Sequence, residues 1–261
     1  MGLGTMALFR FVLLSGCVIV AGCGTSKTLE ESTVRVAAAS DLQSILPELV
    51  DAYRTETGAE VVMTFGASGQ LAEQIKAGAP FDLFLAANTK YVGDLAGIGL
   101  VLPDSVASYA VGALVLAVHE NAPDLKALKE LTRDDVKKVA IANPDFAPYG
   151  AAAKQALRNA GLWDVLQPKI VLAETVRQTL QYVQSGNAEA GLVSKATARV
   201  PGLKLIEIDP ELYDPIVQNL GIVQGTENLE NAERFRTFLL GEKARGVFAS
   251  HGFGPPVKGR P

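Results

Sequence analysis

Between residues 34 and 250, short apolar runs alternate with stretches of helical period, and this alternation constrains the fold more than any other feature. Strands separated by single helices assemble into parallel α/β sheets. The pattern predicts strands at 34–39, 61–65, 81–87, 109–118, 138–142, 169–173, 190–193, 203–208 and 215–223. Helices are expected after each of the first three strands and after those at 138–142 and 169–173, with two more near 230–239 and 242–249. In the first helix, Leu42, Ile45, Leu46, Leu49, Val50 and Tyr53 fall at the spacing of one apolar face. Ser40 stands where its N-cap belongs, Gln43 completes a capping box, and Gly58 closes it.

There are too many strand–helix units for one small sheet, and no Pro/Gly/Ser linker separates them. The expectation is an α/β chain of two lobes that crosses between them more than once, the long apolar strands near 108–118 and 214–223 being the crossings. Lobe 1 is assigned to 33–112 with 218–261, and lobe 2 to 113–217.

Residues 1–22 read as an export signal: a brief apolar run around the single Arg10, then small residues. Cys23 ends a Val-Ala-Gly-Cys run of the kind that is cleaved and lipidated in bacterial lipoproteins. Residues 23–32 form a polar tether. Both cysteines, Cys17 and Cys23, then fall in the signal or at its junction, so the domain must be held by packing rather than disulfides. Without Arg10 the chain from Cys23 carries 23 basic and 28 acidic residues. That mild acidity argues against nucleic acid as a partner.

Four strand-to-helix junctions share one design. Ser40 opens the first and Ser68, within Gly-Ala-Ser-Gly at 66–69, the second. The third is Ala-Pro-Tyr-Gly at 147–150, where Pro148 suits the first helical position and leaves the N–H groups of Tyr149 and Gly150 unpaired. At the fourth, Thr175 and Gln178 form a capping box. In open α/β sheets, ligands sit where such junctions converge. Hydroxyls and helix N-termini are rich in donors, so a compact oxyanion suits them.

Catalysis has little support. His119 and His251 have no ligand or triad partner at a recognised spacing, and nucleophile-elbow and zinc-protease motifs are lacking. Gly-Ala-Ser-Gly lacks the spacing and lysine of a P-loop.

Taken in order, residues 36–42, 65–71, 79–84, 143–144, 147–150, 191–193 and 213–219 resemble the periplasmic molybdate-binding proteins of ABC importers, over nearly all of 33–254. The resemblance implies a two-lobed type II periplasmic-binding-protein fold, an α/β architecture that closes on its ligand in the cleft. It also implies molybdate or tungstate as ligand, no cofactor and no metal beyond that of the anion. The implied partners are an ABC-transporter permease and its ATPase, and the protein would be an extracytoplasmic monomer, lipid-anchored at Cys23. By position, Ser40 and Ser68 match hydroxyl and backbone donors, and Tyr149 and Val176 match backbone N–H donors. Ser194 stands where many relatives carry a tyrosine whose hydroxyl completes the site, and is the fifth expected contact. Asp41 would repel a dianion if turned inward, so it is expected to face away or serve the helix N-terminus. The competing readings are sulfate, thiosulfate, phosphonate or ferric iron as ligand, an enzyme on the same scaffold, and a tethered adhesin.

Overall fold

The computed structural model describes residues 1–2 and 33–257. Cys17, Cys23, the tether and all but the first two residues of the signal segment lie outside the described residues.

The first sheet is built on β1 (Val34–Ala39), which pairs in parallel with β2 (Val61–Gly66) and with β3 (Leu83–Ala86). The antiparallel β10 (Ile216–Ile222) is inserted between β3 and β4 (Ala107–Gly112), giving the order β2-β1-β3-β10-β4. The second sheet repeats the arrangement. β6 (Val139–Ala142) lies parallel to β7 (Ile170–Ala173) and β8 (Ala190–Ser194). β5 (Leu114–His119) runs antiparallel between β8 and β9 (Leu203–Glu207), giving β7-β6-β8-β5-β9.

Both sheets are therefore mixed, which corrects the all-parallel expectation. A parallel neighbour needs a long crossover to return the chain to the same end. β5 follows β4 after the single residue Ala113, with no helix between, and enters the other sheet directly. The apolar run at 109–118 is thus two strands in two sheets. β10 lies wholly in the first sheet, so the return passage falls in 208–215, ahead of the strand expected to make it.

The first helix also starts later than its periodicity suggests. Residues Ser40–Leu42 form a 3-10 turn in which the Ser40 side chain caps nothing, and α1 spans Leu46–Thr57. The cause is Pro47, whose ring would clash with the carbonyl four residues back and which lacks an N–H, so regular helix can begin only just before it. Gly58 ends α1 in the left-handed conformation, φ 71°.

α2 (Ser68–Lys76) and α3 (Thr89–Gly97) cover one face of the first sheet; α1, α7 (Leu229–Leu240) and α8 (Glu242–Ser250) cover the other. Leu46, Leu49 and Tyr53 of α1 are fully buried there, each contributing about 2 kcal/mol. The second sheet is flanked by α4 (Pro148–Asn159), the short α5 (Trp163–Leu166) and α6 (Val176–Gln184). Ala39, Ala67 and Ala87, at the strand ends of the first sheet, pack into the core of the second. The two units meet there, at the carboxyl ends of their parallel strands. Among the described residues no helix is long and apolar enough to cross a membrane.

Candidate functional site

The four junctions converge. A small, partly open space of about 10 Å³ is walled by Ala39, Ser40 and Asp41 after β1, by Gly66 to Ser68 after β2, by Ala147 to Tyr149 at the start of α4, and by Val176 at the start of α6. Ala87, beyond β3, completes the lining. Four of the five expected residues are therefore brought together: Ser40, Ser68, Tyr149 and Val176. Ser194 is not among the lining. It is fully buried, and its hydroxyl donates to the Tyr149 hydroxyl at 3.0 Å.

Local sequence explains how the walls are built. Ser68 is the first residue of α2 rather than its cap, and its Oγ accepts a bond from the Ala87 N–H at 3.0 Å. A hydroxyl used as an acceptor in this way keeps its proton to give to something else. Pro148 occupies the first turn of α4, as expected, and Thr175 caps α6 by accepting from Gln178 N–H at 3.1 Å. First-turn N–H groups have no intrahelical acceptor, so Ser68, Tyr149 and Val176 present backbone donors by position. Gly150 is required behind them: a Cβ there would lie 2.1 Å from the Ala142 carbonyl oxygen at the end of β6.

No lysine, arginine or histidine lines the space, and its one acidic wall residue is Asp41. Asp41 was expected to face away from the site or to serve the helix N-terminus. The residue forms part of the wall, fully buried, with its Oδ2 accepting from Gln218 Nε2 at 2.8 Å. Its Oδ1 has no hydrogen-bond partner. Burial pushes the carboxyl up to about 6, against the opposing pull of hydrogen bonds from Tyr149 and Gln218. The Tyr149 hydroxyl, buried beside Asp41, is pushed well above its usual range.

Sequence reasoning missed this buried cluster. Gln218 on β10 reaches Tyr149 at 3.4 Å as well as Asp41, and Tyr109 on β4 donates to Gln218 Oε1 at 3.0 Å. Tyr149 enters through a gap left by Gly112, where a Cβ would lie 2.2 Å from its hydroxyl oxygen. One residue thus offers its N–H to the cavity and its side chain to the strands that join the two units. The available signal was a polar residue within each of two largely apolar strands, Tyr109 on β4 and Gln218 on β10.

The units also touch at the rim, where Gly69 N–H donates to Phe146 O at 2.8 Å and the Tyr91 hydroxyl to Asp145 O at 3.2 Å. A wider groove of about 380 Å³ lies at the opposite ends of the first-sheet strands. Of its two carboxylates, Asp82 and Glu227, the first is already engaged by Arg35 N–H and the Thr226 hydroxyl.

The family model for bacterial extracellular solute-binding proteins matches residues 34–254. This chain belongs to that family. The solute-binding protein is 33% identical to the molybdate-binding protein ModA of Azotobacter vinelandii over 248 residues, 92% of this chain and 98% of that one. It is 32% identical to the putative ABC transporter substrate-binding lipoprotein YvgL of Bacillus subtilis, over 92% of this chain and 95% of that one. The solved periplasmic molybdate-binding protein of Azotobacter vinelandii superposes with a TM-score of 0.80 at 34% identity, covering 86% of this solute-binding protein and 100% of that chain. The junction-lined space falls within the matched residues, so this solute-binding protein carries its candidate site inside the family fold.

Proposed function

We propose that this protein captures molybdate, and tungstate with it, outside the cytoplasm and hands it to an ABC-transporter permease driven by its ATPase. The observation that carries the reading is the convergence of four strand-to-helix junctions on one small space furnished with donors and without a cation. Hydroxyls at Ser40 and Ser68 and backbone N–H groups at Ser68, Tyr149 and Val176 suit the oxygens of a tetrahedral anion. Helix N-termini supply favourable potential where no side chain carries positive charge. Ser194 acts through the Tyr149 side chain rather than on the anion. Similarity in sequence and in fold to the molybdate-binding protein of Azotobacter vinelandii, over most of the chain, favours this anion over sulfate, thiosulfate or phosphonate.

The mode of action is binding without turnover. Donors come from both sheets, so an anion gains its full set of contacts only when the lobes, 33–112 with 218–261 and 113–217, are closed upon it. Fixed donor spacing then favours the larger molybdate and tungstate over sulfate. Lipidation at Cys23 would hold the monomer at the membrane beside its transporter.

Titration calorimetry with molybdate, tungstate and sulfate tests the reading. Tight binding of the first two, weak binding of sulfate and a loss in Ser68→Ala are expected. No heat from any of the three anions would overturn it.

A further inference from the structure

The donor-lined space has one wall group that does not suit a dianion, and its surroundings define what it must do. Asp41 is fully buried, and one carboxyl oxygen is already held by Gln218. The other oxygen is buried with no partner, in a residue that lines the same space as Ser40 and Ser68. A buried charge of this kind is normally neutralised by a cation or by a proton.

No cation does so. The neighbouring groups are the Tyr149 hydroxyl from α4, Gln218 from β10 and Tyr109 from β4, all neutral donors or acceptors. β2, packed on the same 3-10 turn, contributes no ionisable side chain. α6 also packs on that turn, and its first charged residue is Arg177. The influences that set the Asp41 carboxyl are burial, Tyr149, Gln218 and its own backbone, with no basic residue among them. A dianion brought into this space adds two negative charges to a site whose walls hold Asp41 and no lysine, arginine or histidine.

We propose that Asp41 is the proton-holding group of the anion site, so that the protein takes up one proton from solvent with each dianion it binds. The proposal rests on the oxyanion reading and specifies how that site balances its charge. In the ligand-free protein the carboxyl already holds its proton up to about pH 6. A bound dianion extends that hold to higher pH, because the two like charges disfavour ionisation. The proton supplies the unpartnered oxygen with a donor, and the Gln218 bond to the other oxygen is kept. Linkage then requires affinity to fall as pH rises above the free-state value, approaching tenfold per pH unit.

The test is calorimetric titration of the protein with sodium molybdate at pH 7.5, in two buffers of widely different ionisation enthalpy. The difference in apparent heat is expected to correspond to nearly one proton taken up per anion. Affinity is expected to drop about tenfold from pH 7 to pH 8. Asp41→Asn, in which an amide stands in for the protonated acid, should lose both the proton uptake and the pH dependence, and bind more tightly than the parent at pH 8. Molybdate binding by the parent with no buffer dependence would overturn the proposal, and that measurement needs no variant. Absence of molybdate binding by the parent at every pH would instead overturn the oxyanion reading, and the proposal with it.

Discussion

The Tyr149 hydroxyl accepts a hydrogen bond from Ser194 Oγ at 3.0 Å, and both side chains are buried. This pairing divides the work of Tyr149, whose backbone lines the cavity while its hydroxyl ties β8, β10 and the turn after β1 together. It also accounts for the hydroxyl of Ser194, which sequence position placed among the anion contacts and which is not in the lining of the cavity.

Tyr149→Phe therefore separates the two roles. It keeps the backbone donor but removes the hydroxyl that serves Ser194, Gln218 and Asp41. Loss of buried hydrogen bonds should lower stability by about 1–3 kcal/mol in denaturant unfolding. Molybdate affinity should stay within about tenfold of the parent. A loss of several hundredfold with stability intact would place the hydroxyl on the anion instead.

Ser68→Ala should act on binding first. The hydroxyl accepts from Ala87 N–H and has its proton free for the ligand. A hydrogen bond to a charged group contributes about 1.5–3 kcal/mol, so affinity should fall roughly 10- to 100-fold. Ser194→Ala, measured by the same calorimetry, should change affinity by far less.

Gly69→Ala probes closure. A Cβ at this position would lie 2.7 Å from the Tyr91 hydroxyl oxygen and 2.9 Å from the Phe146 carbonyl oxygen, and the latter belongs to the opposite lobe. In an open form that carbonyl withdraws and the extra methyl suits the helix. Thermal stability without ligand should be nearly unchanged, while crowding of about 1–2 kcal/mol in the closed form weakens molybdate binding about tenfold. Equal affinity would show that the rim contact is not needed for capture.

Asp41 makes ligand-free stability depend on pH. Its carboxyl stands at about 6 in the folded protein against an ordinary value of 3.8. The folded state thus holds the proton more firmly than the unfolded chain, so this contribution is complete below about pH 4 and lost as pH rises through 6. Asp41→Asn should therefore be more stable than the parent at pH 8, by up to about 3 kcal/mol. The advantage should vanish near pH 4. A variant less stable at pH 8 would mean that the ionised carboxylate is favourable where it stands.

The alternation of strands and helices made the α/β class readable from sequence, because periodicity is a local property. The junctions at Ser68, Pro148 and Thr175 were legible for the same reason: each helix start is written within a few residues. Pro47 was also in plain view, and it explains why the apolar face beginning at Leu42 does not make Leu42 helical. What could not be read were relationships between distant residues. Gln218 lies 177 positions from the Asp41 carboxylate it holds, and Tyr149 lies 45 from Ser194. No local pattern records such pairs, so the burial of Asp41 against Gln218 and of Ser194 against Tyr149 emerged only from the fold. The antiparallel insertion of β10 was hidden similarly, since an apolar strand carries no mark of its direction.

The central claim is that an oxyanion sits where the four junctions meet. The most direct test is anomalous diffraction at the molybdenum edge from crystals of the protein grown with molybdate. The account predicts one strong peak within the space walled by Ser40, Ser68, Tyr149 and Val176, its oxygens within hydrogen-bond distance of both serine hydroxyls. A fully occupied peak elsewhere, with that space filled by water, would contradict it.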